Sequence, residues 1–272
     1  LTARNVLVIA MPRSGSNLLI KYIKQLLGLE PRGLELLAFN SGEEYFGLDQ
    51  HGKEKIGTYD ARAVASRMQS DMIKFGRLDR RSKAYLLELY RRYDALKEFG
   101  WPTTKVVLDD WRLLPPHMRL EMAEGYDIVI TLDRRDLTES TVSLYYAMFQ
   151  QKWHRDVGEP QFEYSTKERI HPKLLKDYVK RYAEFYELVL QLPKRNAHFE
   201  YMQLYDIVRI QHLLSETCAL PFNKNPVWPL EKGSNADWRR GHIINYDHLK
   251  VLEKQLIGEH NVTFLPRTGI DV

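Results

Sequence analysis

Val6-Leu7-Val8-Ile9-Ala10-Met11 runs directly into Pro12-Arg13-Ser14-Gly15-Ser16-Asn17-Leu18-Leu19, and this junction constrains the fold more than any other stretch. The apolar run is too short for a helix and rich in β-branched residues, so it reads as a buried strand. Ser14, Gly15 and Ser16 supply a tight turn and a helix cap. From Asn17 the spacing becomes helical: Leu18, Leu19, Tyr22, Ile23, Leu26 and Leu27 share one stripe, with Lys21, Lys24 and Gln25 off it. Strand, turn and helix together gather backbone N–H groups, the Ser14 and Ser16 hydroxyls and the Arg13 cation around one point, and Gly15 permits close backbone approach. Such a point binds phosphate or sulfate. A plain strand-to-helix turn with a well-capped helix satisfies the same pattern, so other residues must distinguish the two.

A Walker A loop has the form G-x-x-x-x-G-K-[ST]. Here the first Gly and the Gly-Lys pair are missing, and Arg13 stands ahead of the glycine. An ordinary NTPase is thereby disfavoured. Elsewhere helical patterns alternate with short apolar runs, which predicts an α/β fold with a parallel sheet covered by helices. Strands are expected over 6–11, 105–108 and 127–132, more weakly over 198–202, and late in the chain over 262–265. Helices are expected over 61–75, 82–99, 137–149, 172–192, 205–217 and 247–257. In 172–192, the stripe of Leu175, Tyr178, Val179, Tyr182, Phe185, Tyr186 and Val189 reads as core packing. The stretch 39–59 has no clear period and reads as a loop or lid. No domain boundary is visible, so 1–272 is read as one domain.

Composition narrows the function classes. At 272 residues with 44% apolar and 28% charged side chains, the chain has ordinary globular composition and length enough for a core. A net charge of +4 suits an anionic ligand without calling for nucleic acid, and no nucleic-acid motif is present. Cys218 is the single cysteine, which excludes an internal disulfide and leads us to expect a reducing, cytoplasmic location. No stretch approaches a membrane span, and no signal peptide is recognisable. No HExxH or clustered Cys/His spacing calls for a metal. The first residue is Leu1 rather than Met, as in a piece excised from a longer protein.

Two further stretches carry anion chemistry. The run 127–132 ends in Asp133-Arg134-Arg135-Asp136, followed by a helix with Leu137, Thr141, Leu144, Tyr145 and Met148 as its core stripe. Ser140 and Ser143 fall on a different face. Arginines at a strand end followed by outward hydroxyls suit a second phosphate, because the guanidinium fork matches two phosphate oxygens. A surface Arg–Asp pair with solvated serines is the competing reading. Later, Glu231-Lys232-Gly233-Ser234-Asn235-Ala236-Asp237-Trp238 places a flexible turn beside a lysine, where amides can close over an anion. A surface loop with one packed Trp is the alternative there.

Together these pieces resemble the sulfotransferases that use 3′-phosphoadenosine 5′-phosphosulfate (PAPS). The segment from Pro12 to Leu19 resembles their 5′-phosphosulfate loop; the cytosolic branch usually has Lys in place of Arg13, and bacterial carbohydrate-type members commonly have Arg-Ser-Gly-Ser. Arg134 to Ser143 is similar to the 3′-phosphate element, with Arg135 as the register alternative to Arg134. Lys232-Gly233 with Asp237-Trp238 is similar to the late R-K-G-x-x-G-D-W-K element, with Ala236 in place of its second Gly. The bacterial trehalose-sulfotransferase-like branch is the most similar. It places a carboxylate base near a Glu-Pro segment after the first helix, where this chain has Glu30-Pro31 and Glu35-Leu36-Leu37.

The resemblance implies a P-loop NTPase-like sulfotransferase fold, PAPS as co-substrate without a metal, and a carbohydrate or other small-molecule hydroxyl as acceptor. It implies Arg13, Ser14, Gly15, Ser16, Asn17, Arg134, Ser143, Lys232 and Gly233 as donor-binding residues, with Arg13 also stabilising charge on the leaving group. Glu35 is the first choice of general base and Glu30 the second. Asp109 and Asp110 end the strand at 105–108, where cytosolic sulfotransferases carry a catalytic His. Asp110 is therefore a third choice, against ordinary turn chemistry at a strand end. The competing function is a P-loop-type kinase or NTPase, which requires a Walker lysine and a carboxylate for Mg²⁺.

Overall fold

The computed structural model describes residues 4–29, 80–150, 167–225 and 241–269. The stretches expected as a loop over 39–59 and a helix over 61–75 lie outside them. Among the described residues, β1 (Val6–Ala10), β2 (Thr104–Val107), β3 (Ile128–Asp133) and β4 (Ala197–Glu200) form one parallel sheet in the order β2-β1-β3-β4. Ala10 sits opposite Val107 on one side and Leu132 on the other, so the central strands end level. The helices are α1 (Ser16–Leu26), α2 (Arg80–Glu98), α3 (Leu108–Trp111), α4 (Pro116–Gly125), α5 (Leu137–Gln150), α6 (Pro172–Leu190), α7 (Ile207–Cys218) and α8 (Tyr246–Glu259). A 3-10 turn at Tyr201–Tyr205 links β4 to α7.

The alternation along β1 assigns the two faces of the sheet. Leu7, Ile9 and Met11 pack into a core with residues of α2, α4, α5, α6 and α8. Val6, Val8 and Ala10 face the opposite core, built with α1 and α7. A strand buried on both faces reads as a continuous apolar run, as parallel sheets require. The expected α/β class, with a central parallel sheet flanked by helices, is therefore the observed one. No helix among the described residues is long and apolar enough to cross a membrane.

Two expectations need correction here, and one helix stands where none was expected. The run 262–265 forms no strand. Its residues dock instead: the Phe264 ring meets Tyr182 at 5.2 Å, and the Leu265 carbonyl accepts from Arg135 at 2.6 Å. The backbone of β4 is instead met by Thr268, which donates its N–H to the His198 carbonyl at 2.8 Å and accepts from the His198 N–H through Oγ1 at 2.9 Å. The strand at 105–108 stops at Val107, because Leu108 already begins α3. Helix α4 has no counterpart among the expected elements; only Met118, Met122 and Ala123 mark its buried side, a stripe too thin to signal a period.

Candidate active site at the β1–β3 crevice

Neighbouring strands β1 and β3 lead away in opposite directions. The chain passes from β1 to β2 on one side, and from β3 to β4 on the other. The crevice between their carboxyl ends is the topological switch point at which open α/β sheets bind ligands. Both anion-binding stretches read from the sequence emerge there: Pro12 to Ser16 after β1, and Arg134 to Asp136 after β3.

The first loop is tightly held. Ser14 is fully buried, and its hydroxyl donates to the Met11 carbonyl at 2.7 Å. That proton braces the turn. Tyr178 of α6 donates to the Pro12 carbonyl at 2.6 Å. Arg13 takes φ 64°, a left-handed conformation uncommon for a side chain this large. Gly15 stands at the N-cap of α1 with φ 85°, and no side chain caps the helix. Ser16 opens α1 as a buried residue, followed by half-buried Asn17. A Cβ on Gly15 would lie 2.8 Å from Leu204 Cδ1 and 2.9 Å from Tyr201 Cδ2, so glycine is demanded by space as well as by φ.

The two loops meet through side chains. Arg13 donates its Nε–H to Ser143 Oγ at 3.0 Å, across the crevice from β1 to α5. Arg134 is 7% exposed; its Cζ lies 4.4 Å from the centre of the Tyr201 ring, and its Nη2 lies 3.4 Å from Glu139 Oε2. Tyr201 therefore touches the position of Gly15 with one part of its ring and carries Arg134 on its face. Arg135 turns elsewhere, toward Leu265 and the Phe264 ring. Of the two register alternatives, Arg134 is the one joined to the loop.

Helix α5 begins differently from α1. Glu253 of α8 accepts from the Leu137 N–H at 2.8 Å and from the Thr138 hydroxyl at 2.7 Å. Asp136 Oδ1 accepts from the Glu139 N–H at 2.8 Å. Glu139 in turn accepts from the Tyr246 hydroxyl at 2.6 Å. The first amides of α5 thus carry the protein's own carboxylates. Ser140 is fully buried and donates to the Asp136 carbonyl at 2.9 Å, so it does not face outward as the helical stripe suggested. The reason is that α5 is packed on several sides at once: Leu137, Val142, Tyr146 and Ala147 are buried as well. Ser143, half-buried, is the hydroxyl that reaches the crevice.

Beneath the β3 and β4 ends lies a second polar layer. Asp133 accepts from the Tyr182 hydroxyl, and its Oδ2 is 3.4 Å from His198 Nε2. His198 Nδ1 pairs with Thr131 Oγ1 at 2.9 Å. Burial holds the Tyr182 hydroxyl far above the usual phenol range, with the Asp133 charge adding to the effect. Burial likewise raises the Glu200 carboxyl, against hydrogen bonds from the Met202 and Arg135 amides.

Glu30, Glu35, Lys232 and Gly233 lie outside the described residues. Asp109 is engaged by Arg181 at 3.4 Å and Arg112 at 3.5 Å, and Asp110 is fully buried in α3. Tyr178, Tyr201, Glu139 and Glu253 are site neighbours that sequence reasoning did not single out; Tyr178 was placed in the core stripe, where its ring does lie, but its hydroxyl reaches the loop. No family model matches the chain, nor does any curated protein or solved structure.

Proposed function

We propose that this chain is a PAPS-dependent O-sulfotransferase acting on a hydroxyl of a carbohydrate or other small molecule. The observation that carries the reading is the Arg13–Ser143 hydrogen bond at 3.0 Å, which joins the loop after β1 to the helix after β3 at the sheet's switch point. It is supported by the chemistry around it. An uncapped α1 N-terminus suits an anion, and Gly15 lets that turn pack against Leu204 and Tyr201 where a Cβ would clash. Arg134, stacked on the Tyr201 ring that packs against Gly15, supplies a second cation for a nucleotide with two separated phosphates.

In this reading the donor's phosphosulfate lies on the first amides of α1. Arg13 faces the charge that grows as the sulfur–oxygen bond to the nucleotide breaks. The acceptor oxygen attacks sulfur in line, its proton passes to a carboxylate, and 3′-phosphoadenosine 5′-phosphate leaves. Glu35 remains the first choice for that carboxylate on the resemblance, with Glu30 second. Most of the work is positioning and charge stabilisation, as in phosphoryl transfer. The Lys232 and Gly233 segment is assigned to the donor on the same resemblance.

Thermal shift separates this reading from a kinase or NTPase built on a similar sheet. The bisphosphate product should raise the melting temperature in proportion to the logarithm of its concentration above Kd. ATP with Mg²⁺ stabilising while the bisphosphate does not would end the sulfotransferase assignment.

A further inference from the structure

Helix α6 reaches both loops of the crevice with hydroxyls one turn apart. Tyr178 donates to the Pro12 carbonyl at 2.6 Å, and Tyr182 donates to the Asp133 carboxylate at the end of β3. Both rings are buried in the core stripe of α6. Their apolar surface would serve the core equally well as phenylalanine, so the hydroxyls themselves call for a reason. The Pro12 carbonyl belongs to the peptide unit that ends on the Arg13 nitrogen. Anchoring it fixes one side of the Arg13 φ rotation, which stands at 64°. A non-glycine residue keeps such a conformation only where its surroundings over-determine it. Contacts that do so here are the Ser14 N–H and hydroxyl, both on the Met11 carbonyl, and Tyr178 on Pro12.

We propose that Tyr178 is a positioning residue for Arg13: by holding the Pro12 carbonyl it keeps Arg13 left-handed and its guanidinium directed at Ser143. The catalytic meaning of this rests on the sulfotransferase reading; the geometric link does not. Burial pushes the Tyr178 hydroxyl up to about 12, so it stays a neutral donor throughout the working range of pH. Tyr182, on the same helix and equally buried, gives its hydroxyl to Asp133 at the end of β3 and serves as the matched control.

The test reads Arg13 directly. In ¹⁵N-labelled protein the Arg13 Nε–H, bonded to Ser143, should give a slowly exchanging signal, assigned by its absence in Arg13→Lys. Tyr178→Phe should speed its exchange about tenfold, as Ser143→Ala does, while Tyr182→Phe leaves it in place. An unchanged Arg13 signal in folded Tyr178→Phe would overturn the proposal. Should Tyr178→Phe fail to fold, the link is read in reverse: the buried Tyr178 hydroxyl proton of the otherwise native protein should shift on Ser143→Ala, and no shift would overturn it equally. Binding of 3′-phosphoadenosine 5′-phosphate is measured alongside. There Arg13→Ala and Tyr178→Phe should be non-additive by about fivefold, and Arg13→Ala with Tyr182→Phe additive. Additivity of the first pair would leave Tyr178 a merely structural residue. Absence of bisphosphate binding by the native protein would end the sulfotransferase reading while the Arg13 signal still decides the role of Tyr178.

Discussion

At the β1–α1 junction no acidic residue stands in the first turn of the helix and no side chain caps it. At the β3–α5 junction, Asp136 and Glu253 occupy the opening amides, and Glu139 lies within the first turn. Both junctions follow adjacent strands of one sheet, and both aim a positive helix end at the same crevice. One has been filled by the protein's own carboxylates, including one from α8. The other, on the proposed function, takes an anion from outside. On the proposed function, this contrast gives the two phosphates of the nucleotide different means: backbone amides with Arg13 for one, and the side chain of Arg134 rather than helix amides for the other.

The contrast can be broken experimentally, most severely at Arg13. Arg13→Ala should lower sulfuryl-transfer turnover about a hundred- to a thousandfold, the usual loss for one donor aimed at developing charge. Steady-state rates with saturating donor would measure it, and native turnover would remove α1 from the chemistry. Next, Glu253→Ala should cost about 3 kcal/mol in urea unfolding, because it deprives α5 of two buried charge-assisted bonds and leaves Lys250 with one carboxylate partner fewer. A loss below about 1 kcal/mol would mean that water caps α5 as well as the carboxylate does. Gly15→Ala should cost about 2 kcal/mol by the same measurement, combining the positive φ with the overlap at Leu204 and Tyr201. A neutral Gly15→Ala would show that the Leu204 and Tyr201 side chains yield.

The smallest effect concerns pH. Burial raises the Glu200 carboxyl above its ordinary 4.5 in the folded state. Between 4.5 and that raised value the folded protein holds more protons than the unfolded chain, so Glu200 makes stability fall as pH climbs through this window. Urea midpoints taken across the window should show that slope, and Glu200→Gln should flatten it. A slope of the opposite sign would mean that the amides of Met202 and Arg135 outweigh burial.

The β1–α1 junction was legible in the sequence because every signal for it is local: an apolar run, a Ser-Gly-Ser turn and a helical stripe succeed one another within 22 residues, from Val6 to Leu27. The β3–α5 junction was legible as a strand and a helix, but not as a capped helix. Glu253 arrives from a sequence separation of 116 residues, and no periodicity announces such a partner. Ser140 misled for a related reason: a stripe argument presumes one buried face, and α5 has several. Tyr178 was invisible as a site residue because a buried tyrosine reads as core whatever its hydroxyl does, and half-buried Tyr201 because it reads as the end of the weak strand 198–202. The apolar run 262–265 looked like a strand since packing on α6 and pairing on a sheet ask for the same residues.

The left-handed backbone of Arg13 has an evolutionary consequence. Glycine at that position would relax the backbone by about 1 kcal/mol. It would also delete the cation and its bridge to Ser143. Backbone relaxation alone would favour Arg13→Gly, while the lost bridge, the larger unfolded-state entropy of glycine and, on the proposed function, selection for turnover all oppose it. On the proposed function, Arg13 is thus held against the preference of its own backbone by what its side chain does.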